Sequence, residues 1–216
     1  MVFDKRSSTS RVALVTGAAG SIGSSVVRRL SADGWKVAGI DLKENSAELS
    51  LHVDVTDRPT MMAAAAQVAE KLGPIELLVT AAGDYEQAPI GEMDFKRWQK
   101  MLDVWLGGAT NACAASVPQM LKAGRGSVIL LSADLRPGGA GLSYVAAASG
   151  AVVAFAKSFG CEMAPQGVCV NCLAPPAAVN PDWIAETVSF LSNEGDYYAG
   201  QVFFPCSDVR KEKGDM

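Results

Sequence analysis

The sequence predicts one α/β domain in which helices cover both faces of an open, doubly wound parallel sheet. Apolar strand-like runs alternate with helix-length stretches along the chain. Several runs are apolar on both faces, as in strands that lie between two layers of helices. The alternation favours right-handed crossovers between parallel strands. The length of 216 residues is enough for one domain with a full core.

The elements follow one another without an internal repeat or a linker. Strands are predicted at residues 12–15, 36–40, 51–53, 75–79, 127–131, 169–173 and 201–204. Helices are predicted at residues 21–33, 58–72, 94–123, 143–163 and 181–191. The domain is predicted to cover residues 1–207, and residues 208–216 to form a charged tail.

Composition and charge exclude several classes of protein. Hydrophobic residues make up 49% of the chain and charged residues 19%, which is typical of a globular rather than a disordered protein. The net charge of −4 argues against nucleic-acid or anionic-membrane partners, because both need a basic face. The first twelve residues contain no apolar signal-peptide core, and no apolar run reaches the roughly 18–20 residues of a membrane span. A cytoplasmic protein is therefore expected.

The five cysteines are predicted to be free thiols, and no metal site is expected. Cys169 and Cys172 form a Cys-x-x-Cys pair, but the alternation of their strand directs the two side chains to opposite faces. No second cysteine or histidine pair completes a zinc site. The single histidine, His52, is interpreted as structural.

A glycine-rich turn predicts a nucleotide site between the first strand and the first helix. The turn contains Gly17, Gly20 and Gly23, and glycines let the backbone approach a pyrophosphate bound at the helix N-terminus. The second strand ends at Asp41, whose carboxylate can accept hydrogen bonds from both ribose hydroxyls and repel a 2′-phosphate. This acid favours NAD over NADP. The alternative is a glycine turn that serves only close packing.

Further motifs make the chain resemble the short-chain dehydrogenase/reductase family, with its Rossmann-like fold, over nearly its whole length. The motifs are HVDVTD at 52–57, LLVTAAG at 77–83, VNCLAPP at 170–176 and GQVFF at 200–204. The turn departs from the family at Ser21, where glycine is usual, and Thr80 and Ala81 replace two asparagines. The resemblance and the turn together imply NAD contacts at Thr16, Gly17, Gly20, Ser21, Ile22, Gly23, Asp41, Asp54, Val55, Ala81, Ala82 and Gly83.

The resemblance also implies a catalytic set of Tyr, Lys, Ser and Asn, which this chain does not reproduce. A free phenol with a pKa near 10 is only about 0.1% ionised at pH 7, so the family's tyrosine needs its neighbouring lysine. The asparagine position holds Trp105, and an indole cannot replace an amide that binds water through both its groups. The serine position falls on Ala133 when counted forwards and on Ser132 when counted backwards.

The tyrosine and lysine positions have two alignments. In one, Tyr144 is the tyrosine and Ala148 stands at the lysine. In the other, the string GAVVAFAKSF at 150–159 places Val145 at the tyrosine and Ser149 at the lysine. The lysine is absent in both. Lys157 lies at least two helical turns further on, about 12 Å along the axis.

The substrate side also departs from the family. Pro176 replaces a glycine beside the nicotinamide, and Asn180 stands where threonine is frequent. Few residues separate Pro176 from Pro181, where the family usually has a helical substrate-binding loop. The ADP half of the cofactor site is therefore largely retained, whereas little is left to enclose a substrate or exclude water.

Three classes of function stay open. The favoured class is a non-catalytic subunit of a hetero-oligomeric NAD-dependent alcohol or hydroxyacyl-CoA dehydrogenase. The resemblance implies pairing with an active subunit in a heterotetramer, or with itself, through helices 94–123 and 143–163 and through the C-terminal helix and strand. The second class is an active dehydrogenase with rearranged residues such as Tyr144 and Ser132. The third is a non-redox enzyme or a nucleotide-binding regulator.

Overall fold

A computed structural model describes residues 11–194 and 198–205. These residues form a seven-stranded sheet of parallel strands in the order β3-β2-β1-β4-β5-β6-β7. The predicted doubly wound α/β class is thereby confirmed. The predicted charged tail and Cys206 lie outside the described residues.

All seven predicted strands are present with bounds within two residues of the prediction, and the last strand is one residue shorter at each end. They are β1 (Val12–Thr16), β2 (Lys36–Asp41), β3 (Leu49–His52), β4 (Ile75–Thr80), β5 (Gly126–Leu131), β6 (Val168–Leu173) and β7 (Val202–Phe203). The central strands are buried on both faces, as their continuous apolar sequences predicted. β3 differs most from its prediction, because it begins two residues before the predicted start and ends one residue before the predicted end.

The helices form one layer on each face of the sheet. They are α1 (Ser21–Ala32), α2 (Arg58–Lys71), α3 (Phe95–Leu102), α4 (Gly108–Ala123), α5 (Ser143–Met163) and α6 (Pro181–Glu194). α1 and α6 pack against each other on one face through an apolar core that includes Val26, Leu30, Ile184 and Val188. α2, α4 and α5 cover the other face.

The predicted helix 94–123 is interrupted in the structure. The residues Asp103–Gly107 form a π-helical turn between α3 and α4. Asp94 begins the segment as the N-cap, and its carboxylate accepts a hydrogen bond from the Arg97 N–H at 2.8 Å. A π turn rotates the side chains that it carries relative to the preceding helix, and it places Trp105 at the edge of the sheet's main cleft.

α5 has the predicted limits and presents a weakly polar surface. With the following 3-10 turn, the segment Ser143–Gln166 is long and apolar enough to cross a membrane by length and composition, and 33% of its most apolar stretch is buried. One side packs on the sheet through Val152 and Ala156. The other side exposes small residues, including Gly150 and Ala154.

Candidate functional site

A cleft of about 440 Å³ opens at the carboxyl ends of the strands, beside the change of strand order between β1 and β4. Ligands of open α/β sheets bind at this position. Five segments line it: the glycine-rich turn, the end of β4 with the residues after it, the π-helical turn, the end of β5, and the connection between β6 and α6. The glycine-rich turn and the LLVTAAG and VNCLAPP motifs therefore meet at the cleft. Five of the predicted cofactor residues do not line it: Thr16, Gly17, Asp41, Asp54 and Val55.

Gly17 allows the turn after β1 to pass close to the end of β4. Its φ of +65° is in the left-handed region, and a Cβ there would lie 2.5 Å from the Ala81 carbonyl oxygen. The Ala81 N–H donates to the Thr16 carbonyl at 3.1 Å, and the Ala82 N–H donates to the Thr16 hydroxyl at 3.4 Å. The predicted residues of the turn and of β4 thus form one continuous wall.

The first turn of α1 presents unpaired N–H groups to the cleft. Gly20 is the N-cap and no side chain caps the helix. The N–H groups of Ser21, Ile22 and Gly23 have no partner within the helix, and all three residues line the cleft. With the helix dipole, these groups make an anion site suited to a diphosphate.

Asp41 holds the glycine-rich turn in place, although it does not itself line the cleft. Its carboxylate accepts from the Ala19 N–H and from the Lys43 N–H, each at 3.0 Å. Because each carboxylate oxygen has a second lone pair, the group keeps acceptor capacity for ribose hydroxyls. The link to Ala19 was not predicted from the sequence, since nothing in the spacing shows which backbone amide the acid will meet.

Asp54 and Val55 lie next to each other at the predicted adenine side. The Asp54 carboxylate accepts from the Thr56 N–H at 2.9 Å and from the Thr56 hydroxyl at 2.8 Å. Val55 is buried, and its carbonyl accepts from the Asn111 amide at 3.0 Å. These bonds hold the loop after β3 against α4 and leave the second Asp54 oxygen available.

Trp105 covers the end of β4. Its indole N–H donates to the Asp84 carbonyl at 2.8 Å. The edge of the ring lies against Gly83, where a Cβ would be 3.1 Å from the ring carbon Cε2. The position that the resemblance assigned to a water-binding amide is thus occupied by a ring whose one donor is already used.

Ser132 and Ser149 bond to each other beneath the floor of the cleft. The Ser149 hydroxyl donates to the Ala133 carbonyl at 2.8 Å and lies 2.9 Å from the Ser132 hydroxyl. The Ser132 hydroxyl is also within 3.0 Å of the Ser149 carbonyl. Both serines are buried. Both alternative serine positions, Ser132 and Ala133, line the cleft, but the Ser132 hydroxyl is occupied by these partners.

Tyr144 lies outside the cleft lining. Its hydroxyl donates to the Ile90 carbonyl at 2.8 Å, and its ring packs edge-on against Trp98 at 5.6 Å between centroids. Val145 and Ala148 are fully buried in the same small core beside α3. Lys157 is exposed on α5 and does not line the cleft.

The connection between β6 and α6 closes one side of the cleft without a helical lid. Pro175, Pro176 and Val179 line the cleft. The Asn180 carbonyl of the side chain accepts from the Asp182 N–H at 2.9 Å, so this residue caps the start of α6. Neither Pro176 nor Asn180 supplies a side-chain donor to the cleft.

Among the described residues that line the cleft, Tyr85 is the only one with a titratable side chain, and it is 46% exposed. It was not among the residues predicted from the sequence, because it belongs to no motif. Within the described ranges, no group of three His, Cys, Asp or Glu side chains is placed to hold a metal ion. The arrangement can hold an anionic ligand, but it offers no buried acid or base to it.

Cys172 lies under the site and is expected to be chemically inert. Burial raises the pKa of its thiol to about 12, which a hydrogen bond with Ser132 only partly opposes. Burial likewise raises the pKa of the Cys113 thiol to about 12. At pH 8 the thiolate, which is the reactive form, is then about one part in 10,000.

We therefore expect Cys113 and Cys172 to resist iodoacetamide at pH 8 in the folded protein, while the exposed Cys161 reacts. Peptide mass spectrometry after timed labelling measures each cysteine separately. In 6 M guanidinium chloride, all three should react at similar rates. Rapid labelling of Cys172 before unfolding would contradict its burial.

Comparisons with known proteins agree with the sequence motifs. Residues 11–188 match the family model for short chain dehydrogenases. The chain is 32% identical to the short-chain reductase protein NovJ of Streptomyces niveus, covering 81% of this chain and 72% of that protein. It is 33% identical to a 2-dehydro-3-deoxy-L-rhamnonate dehydrogenase (NAD(+)) of a Sphingomonas species, covering 79% and 73% respectively. It is 34% identical to a 3-alpha-(or 20-beta)-hydroxysteroid dehydrogenase of Mycobacterium tuberculosis, covering 82% and 74%.

Proposed function

The chain belongs to the short-chain dehydrogenase family, and from this premise we propose that it is the non-catalytic subunit of a hetero-oligomeric, NAD-dependent member of that family. The active partner would oxidise or reduce an alcohol or a hydroxyacyl-CoA compound. The same proposal includes a cytoplasmic location and a tetramer of two active and two inactive subunits. Closed symmetry of this kind is the usual form of soluble oligomers.

The composition of the cleft carries the proposal. Hydride transfer to or from an alcohol needs a group that exchanges a proton with the reacting oxygen. Neither alignment supplies the family's lysine, and the side chains at both of its candidate positions, Ala148 and Ser149, are buried. The diphosphate end nevertheless keeps its open helix N-terminus and Asp41. This combination fits a subunit that retains the fold while another chain supplies the chemistry.

The exposed face of α5 supports a partner. Gly150 lies in the middle of this helix, and a Cβ there would meet nothing within 4 Å. Glycine destabilises a helix interior by about 1 kcal/mol relative to alanine, and no contact among the described residues requires glycine at this position. A closely approaching partner helix would explain the glycine, because small residues allow short interaxial distances. Phe155 and Phe159 stack nearby with ring centroids 5.2 Å apart and are only partly buried.

The rearranged active enzyme is less well supported. It requires Tyr144 in the cleft, whereas the Tyr144 hydroxyl is bonded to the Ile90 carbonyl and the ring is packed on Trp98. A nucleotide-binding regulator shares the retained turn and Asp41 with the favoured function. It does not, however, account for the apolar face of α5.

Co-expression tests the proposed function. The chain is produced with a family member that is encoded nearby and retains Tyr-x-x-x-Lys, and the mixture is studied by size-exclusion chromatography with light scattering. We expect a stable mixed tetramer whose activity disappears when the partner's tyrosine is changed and persists in Tyr144→Phe of this chain. A homo-oligomer that ignores such a partner would reject the proposal.

Asp41 is expected to select NAD(H) over NADP(H). A carboxylate repels the 2′-phosphate and accepts from the ribose hydroxyls, so we expect at least tenfold tighter binding of NAD(H) by titration calorimetry. Asp41→Asn removes the charge at nearly constant size and should reduce the ratio to about threefold or less, since charged hydrogen bonds contribute more than neutral ones. Asp41→Ala should also weaken both ligands, because the Ala19 N–H loses its acceptor.

Comparing Asp41→Asn with Asp41→Ala separates the effect of the carboxylate charge from the effect of the hydrogen bond that holds the glycine-rich turn. A ratio that favours NADP(H) in the unmodified chain would contradict the assignment. So would a ratio unchanged in Asp41→Asn. Thermal unfolding of both variants provides the control, because a large loss of stability would show that the change was not confined to the site.

A further inference from the structure

The polar groups of the cleft are concentrated at one end. The open N–H groups of Ser21, Ile22 and Gly23 face that end, and the Asp41 carboxylate is tied to the same turn through Ala19. The N–H groups suit a diphosphate. The Asp41 carboxylate, which is bonded to this turn but does not line the cleft, keeps lone pairs that ribose hydroxyls can use. An adenosine diphosphate carries both kinds of group.

At the opposite end, the side-chain donors of Trp105, Ser132 and Ser149 are already hydrogen-bonded within the protein. The Trp105 N–H is bonded to the Asp84 carbonyl, and the ring edge covers Gly83. The hydroxyls of Ser132 and Ser149 are bonded to each other, and each also donates to a carbonyl, Ser132 to that of Ser149 and Ser149 to that of Ala133. Each of these donors already has a partner inside the protein, so a second ribose would gain nothing from them without breaking an existing bond.

The remaining lining at that end is apolar and uncharged. It consists of Leu131, Ala133, Pro175, Pro176 and Val179. Tyr85 is the one further polar side chain in the described lining there, and it is 46% exposed. A second sugar and a nicotinamide ring would therefore meet a surface that cannot distinguish them from other groups by hydrogen bonding.

Building on the nucleotide site of the proposed function, we propose that this cleft recognises ADP and does not read the group esterified to its β-phosphate. The ligand class is ADP and its β-phosphate esters, of which ADP-ribose and NAD are two. The inactive subunit would then respond to the pool of such nucleotides irrespective of the redox state of the nicotinamide.

Titration calorimetry of the full chain with AMP, ADP, ADP-ribose, NAD⁺ and NADH tests the inference. We expect ADP, ADP-ribose, NAD⁺ and NADH to bind within about threefold of one another, because none of the added groups finds a free partner. AMP should bind at least tenfold more weakly, since it lacks the phosphate that completes the contact with α1. NAD⁺ or NADH binding tenfold more tightly than ADP-ribose would overturn the inference, as would the absence of binding by all five ligands.

Two substitutions at one position sharpen the test. Trp105→Asn removes the ring from Gly83 and adds a free amide, so it should tighten NADH relative to ADP-ribose by at least threefold. Trp105→Phe keeps an aromatic cover and should leave the two ligands equal. If the affinity ratio of NADH to ADP-ribose were the same in both variants, the role of Trp105 would be overturned. If Trp105→Asn does not fold, the same ratio measured in the unmodified chain still decides the ligand class. Assembly with the active partner is measured separately, so a chain that pairs but binds no nucleotide refutes this inference and not the subunit function.

Discussion

The chain purified alone is expected to show no NAD-dependent oxidation of secondary alcohols, with any rate below about 10⁻³ s⁻¹ where enzymes commonly reach 1–10³ s⁻¹. The reason is that the family's lysine is absent, so the chain lacks the group that would help exchange a proton with the alcohol oxygen. Ala148 and Ser149 stand at the two candidate lysine positions. General acid–base catalysis contributes about 10²–10⁴-fold, and the loss of cofactor orientation adds to that deficit.

The measurement is NADH absorbance at high protein concentration over hours, with an active family member as the positive control. Tyr85→Phe and Tyr144→Phe serve as matched variants, since Tyr85 lines the cleft and Tyr144 does not. Turnover in the usual enzyme range by the purified chain would refute the expectation. If that turnover were lost in Tyr144→Phe, the rearranged active enzyme would become the better explanation.

Gly150→Arg is expected to abolish assembly with the partner. The position is exposed at the centre of the apolar face of α5, and the space around it is open in the single chain. An arginine would be harmless in the monomer, but it would place a long charged side chain between two closely packed helices. An unpaired buried charge costs several kcal/mol, so the dissociation constant should rise by at least about 100-fold.

Gly150→Ala and Ala66→Arg are the controls. Alanine should stabilise the isolated chain by about 1 kcal/mol through helix propensity, and it should weaken assembly much less than arginine does, because it adds only one methyl group to the helix contact. Ala66 is exposed on α2, away from α5, so arginine there should change neither property. Light scattering measures assembly and urea unfolding measures stability. Normal assembly by Gly150→Arg would exclude this face as the contact.

The fold was predictable because local patterns and long-range packing agree. The buried strands are continuous apolar runs, and Gly17 and Gly23 mark the turn at which the backbone must pass closely. The break between α3 and α4 was not predictable, because a single π turn is too short to change the spacing of apolar residues in a recognisable way. In the structure this turn carries Trp105, whose ring lies against Gly83.

The candidate site was predictable as a set of positions but not as a set of bonds. Sequence spacing left Ser132 and Ala133 as alternatives for the family's serine. It likewise left Tyr144 and Val145 as alternatives for the tyrosine. Deciding where a side chain faces needs the neighbours that tertiary structure supplies, as the bond from Tyr144 to Ile90 illustrates. The contact of Asp41 with Ala19 joins residues 22 positions apart and has the same origin.

The bond between Ser149 and Ser132 limits which side chains position 149 can accept. A lysine introduced at position 149 would enter a buried network and carry an ammonium group without a partner, at a cost of several kcal/mol. A tyrosine introduced at Val145 would have to expand a fully buried position. Each of these two substitutions alone is therefore expected to destabilise the fold, so adding the family's pair to the second alignment would require the surrounding core to be repacked as well.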